Sequence, residues 1–327
     1  MSKAADNVVI FDNRGIPSVM VRFERPQDTA EIPAMFKIGD MVADAIYISK
    51  YPNTIIEGKA YSLPMVDPAV NINFDEAVQA CRAKGKGWHL MTAVEFEHLL
   101  NESRKQNTLP HGNTDWGKDY HNKDEHGNTK GCGYGRTLTG SGPATWNHDH
   151  TIYGVSDLNG NVWEWQAGLR MVNGIFEYIP NNDAALDTCD LYRNSKEWQQ
   201  VRTSRGVVRA NVENGDIAIV DLPEDEEYMA DYDGVEIADL KVELSEIPQV
   251  LRDLGIIPKK RLDSENATYV WFDATEGEWL PIRGSSFGIA SSSGPSALGL
   301  NNVRSSSDVF VGFRSAFYEV NGKLITE

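Results

Sequence analysis

Apolar and polar positions alternate along Val8–Phe11 and Ser18–Phe23, on either side of the segment DNRGIP. Period-two alternation around an Asn-Arg-Gly turn predicts a β-hairpin. After the proline-punctuated connector RPQDTAEIP comes MFKIGDMVADAIYISKYPNT, which sets Ile46 and Ile48 on one side and Tyr47 on the other, as in a strand entering the main domain. The period then changes. Phe74, Ala77, Val78 and Cys81 recur at helical spacing behind Asn73, a capping residue, and Gly85 closes the run. A second helix is predicted in AVEFEHLLN, with Thr92 and Glu95 as a capping box and Phe96, Leu99 and Leu100 facing inward. Its place in the apolar stripe makes Cys81 a core residue rather than a nucleophile. His98 lies beside the second stripe and has no expected chemical role.

From Asn107 to Thr151 the periodicity fades into Gly, Asn, Asp, His and Thr, interrupted by Trp116, Tyr120, Tyr134 and Trp146. Such a stretch is too aromatic for disorder and predicts loops pinned by rings. Its histidines, His121, His126, His148 and His150 among them, lack a zinc spacing and read as polar loop residues. Gly168–Tyr178 is a hairpin pattern turning at Asn173–Gly174. Residues 181–265 carry the weakest pattern and read as an insertion. Within them Ser245 is placed to cap SEIPQVLRDLG, with Ile247, Val250, Leu251 and Leu254 on one face and Gly255 as the stop.

The stretch from Trp279 to Ala316 has Ser, Gly, Ala and Asn in unusual density, bracketed by Trp279, Leu280, Ile282 and Phe287 and by Phe310, Val311, Phe313 and Phe317. Ser/Gly density alone reads as a flexible linker. Apolar residues at both ends indicate instead a long loop tied into a core, and such loops are usually functional.

Composition narrows the function. The 327 residues carry a formal charge of −17 with Lys and Arg scattered, so a nucleic-acid-binding stripe is excluded. The three cysteines, Cys81, Cys132 and Cys189, form neither a disulfide framework nor a zinc set. No apolar window is long enough to cross a bilayer and none follows the N-terminus as a signal core, which predicts cytoplasmic synthesis without membrane insertion.

Gly154–Trp165 reads GVSDLNGNVWEW. Asp157 and Glu164 supply two carboxylates, and Asn159, Gly160 and Asn161 allow a tight turn between them. With the carbonyls of Gly160 and Val162 these make an oxygen set of the kind calcium takes. The plainer reading has Asp157 and Asn161 bonding the turn while Trp163 and Trp165 anchor it.

This motif, followed downstream by RGSSF and GFRSA, resembles the formylglycine-generating enzyme (sulfatase-modifying factor) branch of the C-type lectin fold, and WHLMTAVEFEHLL is similar to that family's upstream helical segment. The resemblance covers roughly residues 40–320 apart from the insertion. It implies an α+β, loop-rich C-type lectin fold with two helices flanking a small antiparallel sheet. Residues 1–36 would form the hairpin and connector and 37–327 the domain, interrupted at about 181–265. It also implies structural calcium on Asp157, Gly160, Val162 and Glu164, with no other cofactor required. The family's oxidase activity is not implied, because its copper-binding cysteine pair is replaced here by FGIASSSGPS.

RGSSFGIASSSGPSALGLNNVRSSSDVFVGFRSA more closely resembles the variable region of diversity-generating retroelement proteins, on the landmarks Arg283, Gly284, Ser286, Ala297–Leu298, Leu300–Asn301–Asn302, Arg304–Ser305 and Gly312–Phe313–Arg314. The implied function is non-enzymatic recognition of a protein or cell-surface receptor. Its changeable face, within about 283–314, would comprise Phe287, Gly288, Ile289, Ser292, Ser296, Gly299, Ser306, Asp308, Val309 and Phe310. The protein would act as a homo-oligomer or as part of a larger assembly on a phage tail or host surface. An oxidase of the parent family and a glycan-binding lectin are the alternatives, although the lectin motifs EPN, QPD and WND are absent. Mechanically, Arg283, Arg304 and Arg314 would hold carbonyls and carboxylates, Gly284 and Gly312 would allow close turns, and Leu298, Leu300 and Phe313 would pack inward.

Overall fold

The computed structural model describes residues 6–27 and 29–324. Residues 1–5, 28 and 325–327, which belong to the two expected regions, lie outside the described residues. The N-terminal alternation forms the expected hairpin, Asp6–Phe11 against Pro17–Glu24 with Val8 opposite Met20. Pro17–Glu24 pairs antiparallel with the strand Ala45–Ser49, which pairs in turn with Ser315–Val320. The strand Trp88–Leu90 lies along the same C-terminal strand, with His89 opposite Ala316. Both faces of Ala45–Ser49 are buried, so Tyr47 does not face solvent. Ile46 and Ile48 join the main core with Phe96 and Leu99, whereas Tyr47 packs with Met20, Trp88 and Phe317 on the reverse side.

Helices α1 (Phe74–Arg82) and α2 (Ala93–Gln106) both begin at complete capping boxes. The Asn73 side chain accepts the Glu76 N–H at 3.0 Å, and Glu76 accepts the Asn73 N–H at 3.0 Å. Thr92 and Glu95 do the same for α2, each cap contributing about 1 kcal/mol. Cys81 is wholly buried, and burial raises its thiol pKa. Helix α3 is shorter than expected, Gln249–Asp253, and starts behind Pro248 rather than at Ser245. The Ser245 N–H and hydroxyl are instead both given to the buried carboxylate of Asp221, which also takes the Thr203 hydroxyl. Leu251 and Leu254 still face the core, while Ile247 is exposed.

Gly168–Tyr178 folds as the strands Leu169–Val172 and Ile175–Tyr178, with Asn173 and Gly174 both at positive φ (49° and 76°), as a type I′ turn requires. This hairpin lies inside a sheet of twelve strands among the described residues. To one side it is extended by Val207–Glu213, Asp216–Leu222 and the parallel Lys241–Glu243, all from residues 181–265. To the other side come Glu278–Arg283, Leu298–Asn302, Tyr269–Asp273 and Tyr232–Glu236. The loop-rich α+β class expected from the sequence holds. The sheet is larger than expected and not wholly antiparallel, since Leu298–Asn302 runs parallel to Tyr269–Asp273, and Val311–Phe313 parallel to Trp163–Trp165.

Candidate ligand-binding face

Three arginines fix the 283–314 segment from beneath. The Arg283 guanidinium, wholly buried, donates to the carbonyls of Leu254 and Gly255 at 2.8 and 3.1 Å and lies 3.8 Å from Glu97. Burial lowers its pKa to about 10, which leaves it charged at neutral pH. Arg304 donates to both oxygens of Glu278 at 3.1 Å, to Asp75 at 2.8 Å and to the Leu191 carbonyl at 2.9 Å. Arg314, also wholly buried, places Nε and Nη2 on the two oxygens of Glu164 at 2.8 and 2.6 Å. Its remaining N–H groups reach the carbonyls of Ser49, Lys50 and Ser156. The planar five-donor fork of arginine suits such sites, where a lysine ammonium would leave carbonyls unmatched. Gly284, at φ 87°, brings the backbone so close that a Cβ there would stand 2.5 Å from the Leu158 carbonyl oxygen. At Gly312 the same addition would meet the Ala69 carbonyl oxygen at 2.6 Å. Leu298, Leu300 and Phe313 are wholly buried, as expected.

The ten residues expected on the changeable face divide. Gly288 is exposed, and Ile289, Ser292, Ser306, Asp308, Val309 and Phe310 are partly exposed. Phe287, Ser296 and Gly299 are buried, so they do not project outward. Phe287 turns in because its ring meets the edge of Trp116 at a centroid distance of 5.2 Å, anchoring the loop that carries Trp116. The Ser296 hydroxyl donates to Glu265 and accepts from Arg104 at 2.9 Å. Gly299 sits in the sheet between two neighbouring strands, where a Cβ would come within 3.1 Å of Ile282. Ile289 and Phe310 pack on one core cluster that contains Trp163, Ile282 and Val311. Trp271 joins the same cluster, with its ring edge-on to Trp163 at 5.7 Å and stacked with Tyr269 at 5.5 Å. Sequence reading passed over Tyr269 and Trp271, although their alternation in TYVWFD is a strand signal that sets both on one side.

The motif GVSDLNGNVWEW is the hub on which these loops converge. Trp163 and Trp165 are buried. The Asn161 side chain accepts the Thr137 N–H at 2.8 Å and donates to the Thr137 carbonyl at 3.0 Å. Asn113 donates to the same Asn161 oxygen at 3.3 Å, and the Asn161 carbonyl accepts the Phe287 N–H at 3.2 Å. The Gly160 N–H donates to the Gly284 carbonyl at 2.6 Å, so the turn and the segment RGSSF are stitched together.

The calcium set of Asp157, Gly160, Val162 and Glu164 does not fit this arrangement. Calcium takes six to eight oxygens, but both Glu164 oxygens are held by Arg314, whose charge already balances them. Asp157 accepts the Gly140 N–H at 2.7 Å, which occupies one of its two oxygens. Among the described residues no group of three or more His, Cys, Asp or Glu is placed to hold a metal ion. Treatment with EDTA is expected to move the thermal midpoint by less than about 1 °C, because a ligand that does not bind the native state adds no stability. A calorimetric scan with and without added calcium checks this.

Residues 51–211 match the model of the sulfatase-modifying factor enzyme 1-like domain. That match covers just under half of the chain. Its fold is of the C-type lectin kind seen in sulfatase-modifying-factor domains. The matched span takes in the capped helices, the GVSDLNGNVWEW hub and residues 181–211 of the expected insertion, and it ends before Arg283. Solved structures similar to the chain include PvdO from Pseudomonas aeruginosa, at 14% identity over 98% of this chain and 100% of that one, with a TM-score of 0.38. Treponema denticola variable protein 1 is 11% identical over 95% of this chain and 98% of that one, TM-score 0.36. The U1 variant of the Major Tropism Determinant is 12% identical over 98% of this chain and 74% of that one, TM-score 0.34. No curated protein matches the chain. Among the described residues, no helix is long and apolar enough to cross a membrane.

Proposed function

We propose that this protein is a non-enzymatic binding protein whose 283–314 segment displays a ligand-contacting surface that a retroelement diversifies, with a protein or cell-surface receptor as ligand. One observation carries the reading. The backbone of the segment is held by internally paired arginines, while Gly288 faces open space with nothing within 4 Å of an added Cβ. Side chains at such a position change what the surface presents without changing what supports it. Ser292, Ser306 and Asp308 share this partly open setting. Attachment to a phage tail or host surface, and assembly of several copies, accord with this role, since multivalent display strengthens weak binding.

Replacing Gly288, Ser292, Ser306 and Asp308 singly by Tyr, Asn or Arg is expected to change unfolding free energy by no more than about 0.5 kcal/mol, the usual range for surface positions. Binding to a ligand of the parent chain is expected to change by about tenfold or more for at least one of them. Urea titration and surface plasmon resonance read the two effects. Loss of folding at these positions, with no variant altered only in binding, counts against the proposal. Sequencing the flanking DNA for a reverse transcriptase and a near-copy of codons 283–314 tests the diversification itself. An oxidase reading requires turnover of a cysteine-containing peptide with copper, and no cysteine lies in the 283–314 segment to support it.

A further inference from the structure

The first strand of the fold, Asp6–Phe11, is a sheet edge. It pairs antiparallel with Pro17–Glu24, and among the described residues no strand lies on its other side. The register shows which backbone groups are left over. Val9 stands opposite Val19. Val19 turns its own groups away from Val9, its N–H to the Ser62 carbonyl at 2.8 Å and its carbonyl to the Lys50 N–H at 3.0 Å. Antiparallel pairs alternate between bonded and unbonded. Asn7, Val9 and Phe11 belong to the unbonded pairs and aim their N–H and C=O groups at the open side, three donors and three acceptors in a row.

Natural sheet edges usually carry a charge, a proline or a bulge that keeps other strands off. Lys241–Glu243, an edge of the large sheet, exposes both Lys241 and Glu243. Asn7–Phe11 reads NVVIF and has neither charge nor proline, and its register with the neighbouring strand runs without a bulge. Val9 and Phe11 are 48% and 63% exposed. At the other end of the strand, the Asn7 amide donates to the Tyr153 carbonyl at 2.6 Å. Lys50 bridges the Asn7 side-chain oxygen and the Ile152 carbonyl at 2.7 and 2.6 Å. Ile152 and Tyr153 are themselves 68% and 48% exposed. Phe11 therefore marks one end of the edge and an apolar loop the other.

We propose that Asp6–Phe11 docks a second copy of this chain, which pairs its own Asp6–Phe11 antiparallel about a two-fold axis at Val9. The inference does not depend on whether residues 283–314 vary. The register selects the occupant. With Val9 opposite Val9 of the second copy, Asn7 stands opposite that copy's Phe11, and Phe11 opposite its Asn7. All three pairs are of the bonded kind and close the free donors and acceptors of both edges. Each exposed Phe11 comes beside the other chain's Asn7, where Ile152 and Tyr153 stand, and an unrelated strand brings no such match at both ends. On the reverse face Val8 comes opposite Ile10. Both already pack against Met20, Tyr47, Trp88 and Phe317, so the apolar layer continues across the join. The charges lie at the rim. Asp6 comes opposite the second copy's Asp12, a carboxylate that takes the Tyr61 hydroxyl and has Arg14 at 3.7 Å. Arg14 also pairs with Glu57, and Asp149 accepts the N–H and hydroxyl of Thr151. The rim thus holds both signs, while each copy as a whole carries −17, so screening by salt favours association.

Equilibrium sedimentation of the intact chain is expected to show monomer passing to dimer between about 1 and 100 µM, the weak range that one strand pair supports. Raising salt from about 0.05 to 0.5 M is expected to tighten the dimer by about twofold or more. Val9→Lys sets like charges face to face on the axis. It and Phe11→Asp are each expected to weaken dimerisation by about tenfold or more with urea midpoints unchanged, because both side chains are exposed. Tyr192→Lys, at an exposed aromatic beside α1, leaves dimerisation unchanged. Hydrogen exchange resolved to single amides reads the edge itself: protection at Asn7, Val9 and Phe11 rises with protein concentration, while Val8 and Ile10 are protected throughout. A chain still monomeric at about 100 µM overturns the proposal, as does a dimer indifferent to both edge substitutions or one that leaves those three amides exchanging freely. A trimer or larger ring overturns it too, since pairing about a two-fold axis ends at two. Should one variant fail to fold, the other variant and the amides decide. None of these measurements reads ligand binding, so the recognition role stands or falls separately.

Discussion

Arg314→Met is expected to lower unfolding free energy by about 3–5 kcal/mol, the cost of leaving a buried partner charge uncompensated. Glu164 is 1% exposed and has both oxygens on Arg314. Three backbone carbonyls on two separate segments, Ser49, Lys50 and Ser156, also lose a donor. Arg314→Lys is expected to recover little, because one ammonium cannot span two carboxylate oxygens and three carbonyls. Pairing Arg314→Met with Glu164→Gln is expected to restore part of the loss by removing the stranded charge. Urea midpoints of the two single variants and the pair form the double-mutant cycle that measures the coupling. A single variant within about 1 kcal/mol of the parent means that the pair does not hold the hub together.

The second large effect is acid sensitivity through His148. Its ring is 3% exposed, its Nδ1 accepts the Val155 N–H at 2.8 Å, and Phe23 packs against it edge-on at 5.6 Å. Burial lowers its pKa from 6.5 to about 4, against the raising influence of Asp149 and Glu102 and with Arg314 and His150 lowering it further. A depressed pKa means that the unfolded chain binds the proton more readily. The stability concerned is therefore complete above pH 6.5 and is lost as pH falls toward 4, by about 3 kcal/mol in all. Asp157 acts in the opposite sense. Its pKa is raised to about 6 by burial, so folding gains as pH falls from about 6 toward 3.8. Comparing His148→Gln with the parent separates the two, since only the histidine's contribution disappears. Urea midpoints between pH 7 and 4 are expected to fall more steeply in the parent. Equal slopes would show that His148 titrates alike in the folded and unfolded chains.

Where local pattern and local physics coincide, the fold was legible. Asn73 with Glu76 and Thr92 with Glu95 carry their capping chemistry within four residues, and Asn173–Gly174 carries its turn in two. Ser245 misled for the same reason. It is a good local cap, but Asp221, 24 residues away in sequence, recruits it across the sheet. Of the residues expected on the changeable face, Gly288 is exposed and Asp308 partly so, whereas Phe287, Ser296 and Gly299 are buried against Trp116, Glu265 and Ile282 from distant segments, which no local pattern announces. The oxygen set expected for calcium meets a similar long-range contact. Asp157 and Glu164 have the spacing of ligands, but Arg314, 150 positions beyond Glu164, reaches it first.

The strand Ser315–Val320 follows directly on the segment proposed to vary, and it lies between Ala45–Ser49 and Trp88–Leu90. If that segment is diversified as proposed, a nonsense or frameshift error within it would remove this strand together with Arg314. The truncated product would then expose the backbone edges of two early strands and the apolar surface of Tyr47 and Trp88 that Phe317 covers, which would mark it for proteolysis or aggregation. Under that proposal, folding of the whole molecule would serve as a reading-frame check: only chains that had passed intact through altered codons could close the sheet.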